Sequence, residues 1–546
     1  MRSALVLPVF GMTIALTSLT AWSQTVPDAG ALQQQIDRER QQQLPQRMAP
    51  AKQAAPAAMK PAPGVAITVK QFRFAGNTLM TAEQLAPVVA DYLNRPLDFS
   101  QLQAAAAAVA DAYRAAGWVV NAYLPQQDIQ DGVVTIQIVE AVFGGVKLEG
   151  ALPPRMTARQ IEAIVAAHQA NGAKLDANAL DRSLLLADDL PGVAVAGSLA
   201  AGANVGETDL VLKVADEPLI VGEAAIDNTG PRSTGAERLT ANLNLNSPFG
   251  FGDLASAYLI QSQGNDYLRF AYSAPIGSNG WRIGANASYL AYKLIAPEFA
   301  GLDAKGTSSS TGIDANYPIL RSRLANLFLY LNYDHKQFDN EFRGATTTRY
   351  RIDAASIALN GNLYDNWGGG GANSANLALV SGKRDSRVGT TDDSFSKLRY
   401  SLARQQVITS DLSFFAQLSG QESDDNLDSS EQFYLGGAGG VRAYPSNEGG
   451  GDSGVMSNLE LRWRLPKGFI ITGFHDYGHV RNNDAAMSYS LKGYGLSLGW
   501  LAPMGVNLKA TWAHRIGNNP NPTATGRDQD GSLDKNRLWL SASLPF

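Results

Sequence analysis

From residue 219 to the C-terminus the chain alternates apolar and polar positions in segments separated by Gly, Asn, Asp and Ser clusters. Leu239, Ala241, Leu243 and Leu245 oppose Thr240, Asn242, Asn244 and Asn246. Leu459, Leu461, Trp463 and Leu465 oppose Glu460, Arg462 and Arg464, and Tyr494, Leu496, Leu498 and Trp500 oppose Gly495, Ser497 and Gly499. A period of two is the mark of a strand with one apolar face. The segments run about ten residues, the length a tilted strand needs to cross a bilayer, and strands of a soluble sandwich are usually shorter. Trp and Tyr at segment ends suit interfacial girdles. Sixteen such segments are expected, starting near Leu219, Ala236, Asp253, Asp266, Gly280, Ser308, Ser322, Thr346, Asn373, Ser394, Ser410, Gly454, Gly468, Leu491, Val506 and Lys535. An even count returns both barrel ends to one side of the membrane. The last segment carries Leu538, Leu540, Ala542, Leu544 and the terminal Phe546 on one face. The expected fold class is mainly β: a 16-stranded antiparallel transmembrane β-barrel over residues 218–546, preceded by two α+β modules and an N-terminal helix.

The two modules are copies, about 75 residues apart. Phe74-Ala75-Gly76 is echoed by Leu148-Glu149-Gly150, Met80-Thr-Ala-Glu-Gln-Leu85 by Met156-Thr-Ala-Arg-Gln-Ile161, and Leu97-Asp98 by Leu175-Asp176. Each reads strand, helix, helix, strand, strand. In the first copy these are expected at 67–74, 81–92, 99–115 with Ser100 helping to start it, 118–124 and 133–139. This order resembles POTRA domains, the periplasmic modules of outer-membrane translocators, at residues 67–141 and 142–217. The resemblance implies capture of unfolded clients, partly by strand addition to a sheet edge, where unpaired amides and carbonyls give sequence-tolerant affinity.

Residues 1–23 read as a secretory signal: Arg2, an apolar stretch from Leu5 to Leu19, and the small-x-small site Ala21-Trp22-Ser23, leaving Gln24 first in the mature chain. Within 24–44, Asp28 can cap a polar helix running to about Gln43. Only Leu32 and Ile36 share an apolar face, which is too little to anchor the helix in a hydrophobic core. The composition suits a helix in a wet, polar cavity and a frayed terminus equally well. Residues 45–66 are rich in Ala and Pro and read as a stiff tether, spanning roughly 70 Å if fully extended at ~3.1 Å per residue.

Composition narrows the function. The 546 residues carry 45 Lys+Arg and 50 Asp+Glu, a net charge of −5, which argues against nucleic acid as a partner. There is no Cys, so disulfides, Cys-ligated zinc, iron–sulfur clusters and thiol nucleophiles are excluded. No run of ~18 apolar residues follows the N-terminus, so helical membrane spans are not expected. Ala166-Ala167-His168 and Gly451-Asp452-Ser453-Gly454 look like fragments of a serine-protease triad, but fall in a module helix and a barrel loop, apart from each other. His475 and His479, four apart on a strand, would stand ~13 Å apart, too far to share a metal. Gly368–Gly371 lacks the Lys-Ser/Thr of a phosphate loop and reads as a turn. No catalytic residue, metal or cofactor is expected, and the protein is read as a non-enzyme.

The sharpest motif lies in the longest insertion, 423–453, read as a structureless loop of about thirty residues, a length that is usually functional. Glycines at 436, 437, 439 and 440 permit a tight tip with positive φ that presents Arg442. Phe474, Asp476 and Gly478 share one strand face, so Arg442 and Asp476 are expected to form a bidentate ion pair in a wet lumen. Val441-Arg442-Ala443-Tyr444 resembles the Val-Arg-Gly-Tyr tip of the sixth loop in the BamA-like superfamily, and Phe474-x-Asp476-x-Gly478 resembles its partner motif on the thirteenth strand. Ala443 stands where Gly is usual, which bears on the tip conformation. The terminal Phe546 resembles the signal by which such barrels are recognised for assembly. Helix, tether, two modules and sixteen strands together resemble the TpsB transporters of two-partner secretion (ShlB/FhaC/HecB-type). That resemblance implies an outer-membrane location in a Gram-negative bacterium, with the modules in the periplasm and the helix as a plug. The partners it implies are a secreted TpsA-type exoprotein (adhesin or haemolysin), outer-membrane lipid and lipopolysaccharide, and the barrel assembly machinery during biogenesis. The alternatives are an outer-membrane assembly factor of the BamA/TamA type and a passive porin.

Overall fold

The computed structural model describes residues 26–42, 67–129, 131–204, 206–484, 487–523 and 525–546. The expected signal and tether lie outside the described residues. Sixteen strands form a closed antiparallel barrel in chain order, from Ile220–Asp227 to Asn536–Pro545. The seam pairs Asp227 with Ser541 and Glu223 with Pro545, and Gly222 and Phe546 exchange backbone hydrogen bonds at 2.9 and 3.0 Å. The apolar faces point outward: Leu461, Trp463, Leu496 and Leu538 are all about half exposed on the wall. Stacked pairs Trp281–Tyr317 and Phe469–Trp500, with centroids 4.8 and 5.3 Å apart, belong to an aromatic girdle at the rim nearest the modules.

Strand starts fall within a few residues of expectation, but the strands are not all about ten residues long. The sixth to ninth, Lys305–Arg321, Ala325–Phe342, Ala345–Asp365 and Gly371–Val388, run 17, 18, 21 and 18 residues. Their far halves carry cross-strand ion pairs such as Arg349–Asp339 at 2.5 Å and Arg351–Asp385 at 2.8 Å. Apolar alternation stops where the wall leaves hydrocarbon, whereas strand pairing does not.

Each module is a three-stranded sheet with two helices. In the first, Val133–Glu140 lies between Gln71–Ala75 and Val120–Tyr123; in the second, Glu207–Asp216 lies between Val142–Glu149 and Val193–Ala201. The echoed Met-Thr-Ala-x-Gln motif is a capping box in both copies: Thr81 with Gln84, and Thr157 with Gln160. Three local expectations are corrected. The second long helix is capped by Asp98, not Ser100, which instead donates its hydroxyl to Asp98. The expected helix over 81–92 is a four-residue helix, Ala82–Leu85, then a 3₁₀ turn, Ala86–Tyr92, since Pro87 supplies no N–H for a continuing α-helix. The expected first strand divides into Ile67–Thr68, paired with Pro96–Leu97, and Gln71–Ala75.

The modules are clamped to each other and to the barrel. The buried Glu140 carboxylate accepts from the Thr78 and Leu79 amides at 2.6 and 2.7 Å, and pairs with Lys174 of the second module at 3.1 Å. Arg321, at the near rim, makes two bonds of 2.7 and 2.9 Å to Asp189 of the second module.

Candidate functional site

Two pieces of chain fill the lumen. The first is the helix Ala29–Gln42. Asp28 accepts from the Ala31 amide and from Ser429 Oγ, both at 2.8 Å, which caps the helix and ties it to the long loop. The helix is anchored by apolar packing after all: Ala29, Leu32 and Ile36 are buried against Tyr258, Ile260, Tyr267 and Leu290 of the wall. The helix supplies only two large apolar residues, and the wall supplies the rest from lumen-facing positions. Its polar side is bound as firmly. Arg38 donates to the Gly436 carbonyl at 2.8 Å, Gln34 to the Gln432 carbonyl at 3.1 Å, and Glu39 pairs with Arg238 at 2.8 Å.

The second piece is the long loop, folded back into the barrel. It is not structureless: Phe433–Tyr434 pairs with Gly450–Gly451 at its base. Of the tip glycines expected to use positive φ, Gly437 does so at 105°. Gly436 and Gly440 instead permit close approach, since a Cβ would lie 2.2 Å from the Pro445 carbonyl and 2.0 Å from the Leu435 carbonyl.

This geometry delivers Arg442 to the wall. Its Nε and Nη2 donate to the two Asp476 oxygens at 2.9 and 2.7 Å, its amide donates to Oδ2 at 3.0 Å, and Nη1 reaches Glu460 at 2.8 Å. The guanidinium lies 3.5 Å above the centre of the Phe474 ring. Asn458 donates to Asp476 at 2.8 Å, and Trp539 Nε1 donates to the Arg442 carbonyl at 2.8 Å. The setting is not wet: Asp476 is 0% and Arg442 6% exposed. Val441, Ala443 and Tyr444 are buried in one apolar cluster with Leu435, Phe474 and Leu491, which excludes water from the pair. Gly478 makes room for Leu435, and Gly493 faces the Ala443 methyl at a distance no second methyl could share, 2.5 Å. The extra carbon of Ala443 is thus accommodated by an absent one across the contact.

Glu460, Asn458 and Trp539 were not singled out from sequence as site residues. The signal for the first two was present, because both share the inward face of the twelfth strand, Ser453–Arg464. Trp539 has the parity opposite to Leu538 and Leu540 on the last strand and so points inward. Phe546 lies outside this site, at the seam, exposed on the outer wall. His475 is exposed on the outer wall, and His479 contacts Ser490 at 3.0 Å. His168 follows a helix of the second module, while Ser453 contacts Ser423 at the opposite rim of the barrel.

Comparison with known proteins gives this architecture a family. The model of the family described as "Haemolysin secretion/activation protein ShlB/FhaC/HecB" matches residues 206–500, more than half the chain, and that of "POTRA domain, ShlB-type" matches residues 67–141. The heme/hemopexin transporter protein HuxB of Haemophilus influenzae (strain 86-028NP) is 26% identical over 515 residues, covering 88% of this chain and 87% of the relative. The outer membrane transporter CdiB of Dickeya dadantii is 24% identical, covering 82% and 81%. The solved structure of CdiB from Escherichia coli superposes with a TM-score of 0.70 at 20% identity, over 97% of this chain and all of that one, and speaks for the fold. With its closed sixteen-stranded barrel and family match, the chain belongs to the ShlB/FhaC/HecB family of haemolysin secretion/activation proteins, outer-membrane β-barrel transporters.

Proposed function

We propose that this protein captures an unfolded secreted partner in the periplasm and exports it through its barrel. The observation that carries the reading is a lumen occupied by two segments of the chain's own, each held by contacts that can break without dismantling the wall. The helix Ala29–Gln42 is the plug, and the Arg442–Asp476 pair holds the sixth loop in its transport-competent seat. Cargo is taken up by the modules at 67–141 and 142–217. Val193–Ala201 is an edge strand, exposed from Ala196 onward and with neither Lys nor Pro to block pairing, so an extended segment can add to it. Phe546 serves as the assembly signal for the barrel machinery, and outer-membrane lipid and lipopolysaccharide surround the wall. The reaction is movement, with no catalysis assigned.

The test is export in a Gram-negative host carrying this chain and a large secreted candidate partner. The partner should reach the medium only when the chain is present. Removing either module should leave the barrel inserted and stop export. If loss of the chain instead left other outer-membrane barrels unassembled while export continued, the assembly-factor alternative would hold.

A further inference from the structure

The outer wall of a barrel is convex, and here it is dented. Across the sixth to twelfth strands, in the half nearest the modules, an outward-opening groove of about 700 Å³ lies between leucine ridges, with an almost wholly apolar lining. Its floor is made where small residues meet in register: Gly361 of the eighth strand is opposite Ala375 of the ninth. Its banks are Leu363, Leu402 and Leu418, each 40–54% exposed on the wall. The volume falls within the ~300–1,000 Å³ typical of ligand sites.

At the groove's module-side end stands a charged pair that faces outward. Arg404 and Asp365 have the same parity as Leu402 and Leu363 on their own strands, so both project from the membrane side of the wall. They make two bonds of 2.7 and 3.1 Å. Asn373 joins both, accepting from Arg404 at 2.6 Å and donating to Asp365 at 2.7 Å. The guanidinium crosses Gly371, where a Cβ would lie 2.4 Å from it, and rests 5.0 Å from the Trp367 ring, itself 74% exposed. An Arg on the lipid face is costly at the bilayer midplane and close to free near the interface, so the pair marks headgroup depth. Arg404 Nε also donates to Gln406 at 3.0 Å, so the pair's own hydrogen bonds are made within the protein, and it presents a cation and an anion side by side as fixed charges, about a quarter exposed each. A zwitterionic headgroup, phosphate next to ammonium, is the complement of that arrangement.

We infer that the groove seats one zwitterionic glycerophospholipid of the periplasmic leaflet, with an acyl chain over Gly361 and Ala375 and the headgroup against Arg404 and Asp365. The site is independent of the cargo and of export.

The full chain is reconstituted in vesicles of phosphatidylethanolamine and phosphatidylglycerol. One of the two lipids at a time carries a photoreactive diazirine on its acyl chain, and labelled peptides are mapped after illumination. The phosphatidylethanolamine probe should label the eighth to eleventh strands severalfold more than the wall around Leu538 and Leu540, and more than the phosphatidylglycerol probe does. Gly361→Leu with Ala375→Leu should reduce labelling there to the level of the reference wall. Arg404→Gln with Asp365→Asn should abolish the preference between the two probes while leaving the groove labelled. Even labelling around the wild-type barrel, or equal labelling of the groove by the two probes, would overturn the assignment. The wild-type map decides even if the filled variant fails to insert.

Discussion

A single guanidinium carries much of the lumen's organisation. Arg442 satisfies a carboxylate with no access to water, so removing Arg442 leaves an uncompensated buried charge, an effect of ~3–5 kcal/mol against ~0–1 for an exposed pair, while removing Asp476 leaves the guanidinium held by Glu460 alone. Arg442→Ala and Asp476→Ala should each release the loop and cut export sharply, with the barrel still inserted as judged by heat-modifiable mobility. The double variant should be little worse than either single one, because one interaction is lost only once. Strictly additive defects would contradict the coupling. Arg442 also reaches Glu460, so Glu460→Gln should weaken the same seat by less. A second residue-scale prediction tests the Ala443 adaptation. Gly493→Ala places a methyl where Ala443 already packs, and overpacking of this kind costs ~1–3 kcal/mol. Proteolysis of the loop should quicken in that variant, and Ala443→Gly in the same chain should restore protection. Failure of the rescue would mean that the two positions do not share one volume.

At the scale of elements, the plug is held by packing as much as by polarity. Leu32 and Ile36 are 1% and 2% exposed, and Leu→Ala or Ile→Ala at such sites costs ~2–5 kcal/mol. The Leu32→Ala, Ile36→Ala double variant should therefore open the pore more often, read as raised conductance in planar bilayers, as deletion of the helix should. Unchanged conductance in both would remove the helix from the closure. This anchoring was only half legible in the sequence. Two apolar residues at i and i+4 show a face, but its partners are Tyr258, Ile260, Tyr267 and Leu290, scattered over three wall strands whose lumen faces look polar on average. Strand number and parity were readable because lipid enforces alternation. Strand length was not, because pairing continues into water where nothing enforces it. The Arg442–Asp476 approach was readable from motif and parity; the dry cluster around it was not, because it is assembled from the loop and single inward residues such as Met456, Leu491 and Ala513, spread over the four strands that follow it, none of which shows an apolar inward face by itself.

On the scale of the whole molecule, the modules form an arm whose bearing is set at two joints: Arg321–Asp189 at the barrel rim, and Glu140 between the modules. Glu140 gives the joint between the modules a pH dependence. Burial pushes its carboxyl up, but the hydrogen bonds from Thr78 and the Leu79 amide and the contact with Lys174 outweigh that, and the group ends below its ordinary value of 4.5. A carboxyl held low in the folded state contributes stability that is fully present above its unfolded value, and loses it as pH falls through the folded one. The arm should therefore be stiff at neutral pH and loosen only in acid, below about 4.5. Because the chain contains no Cys, Glu83→Cys and Glu162→Cys place two unique spin labels on exposed sites, one per module. Their distance distribution should be narrow at pH 7 and broaden below pH ~4.5. With Glu140→Gln it should be broad already at pH 7 and no longer respond to acid. A Glu140→Gln variant as narrow as wild type at pH 7, or one that broadens in acid just as wild type does, would show that the arm takes its rigidity from the backbone bonds around Val119 and Leu175 instead.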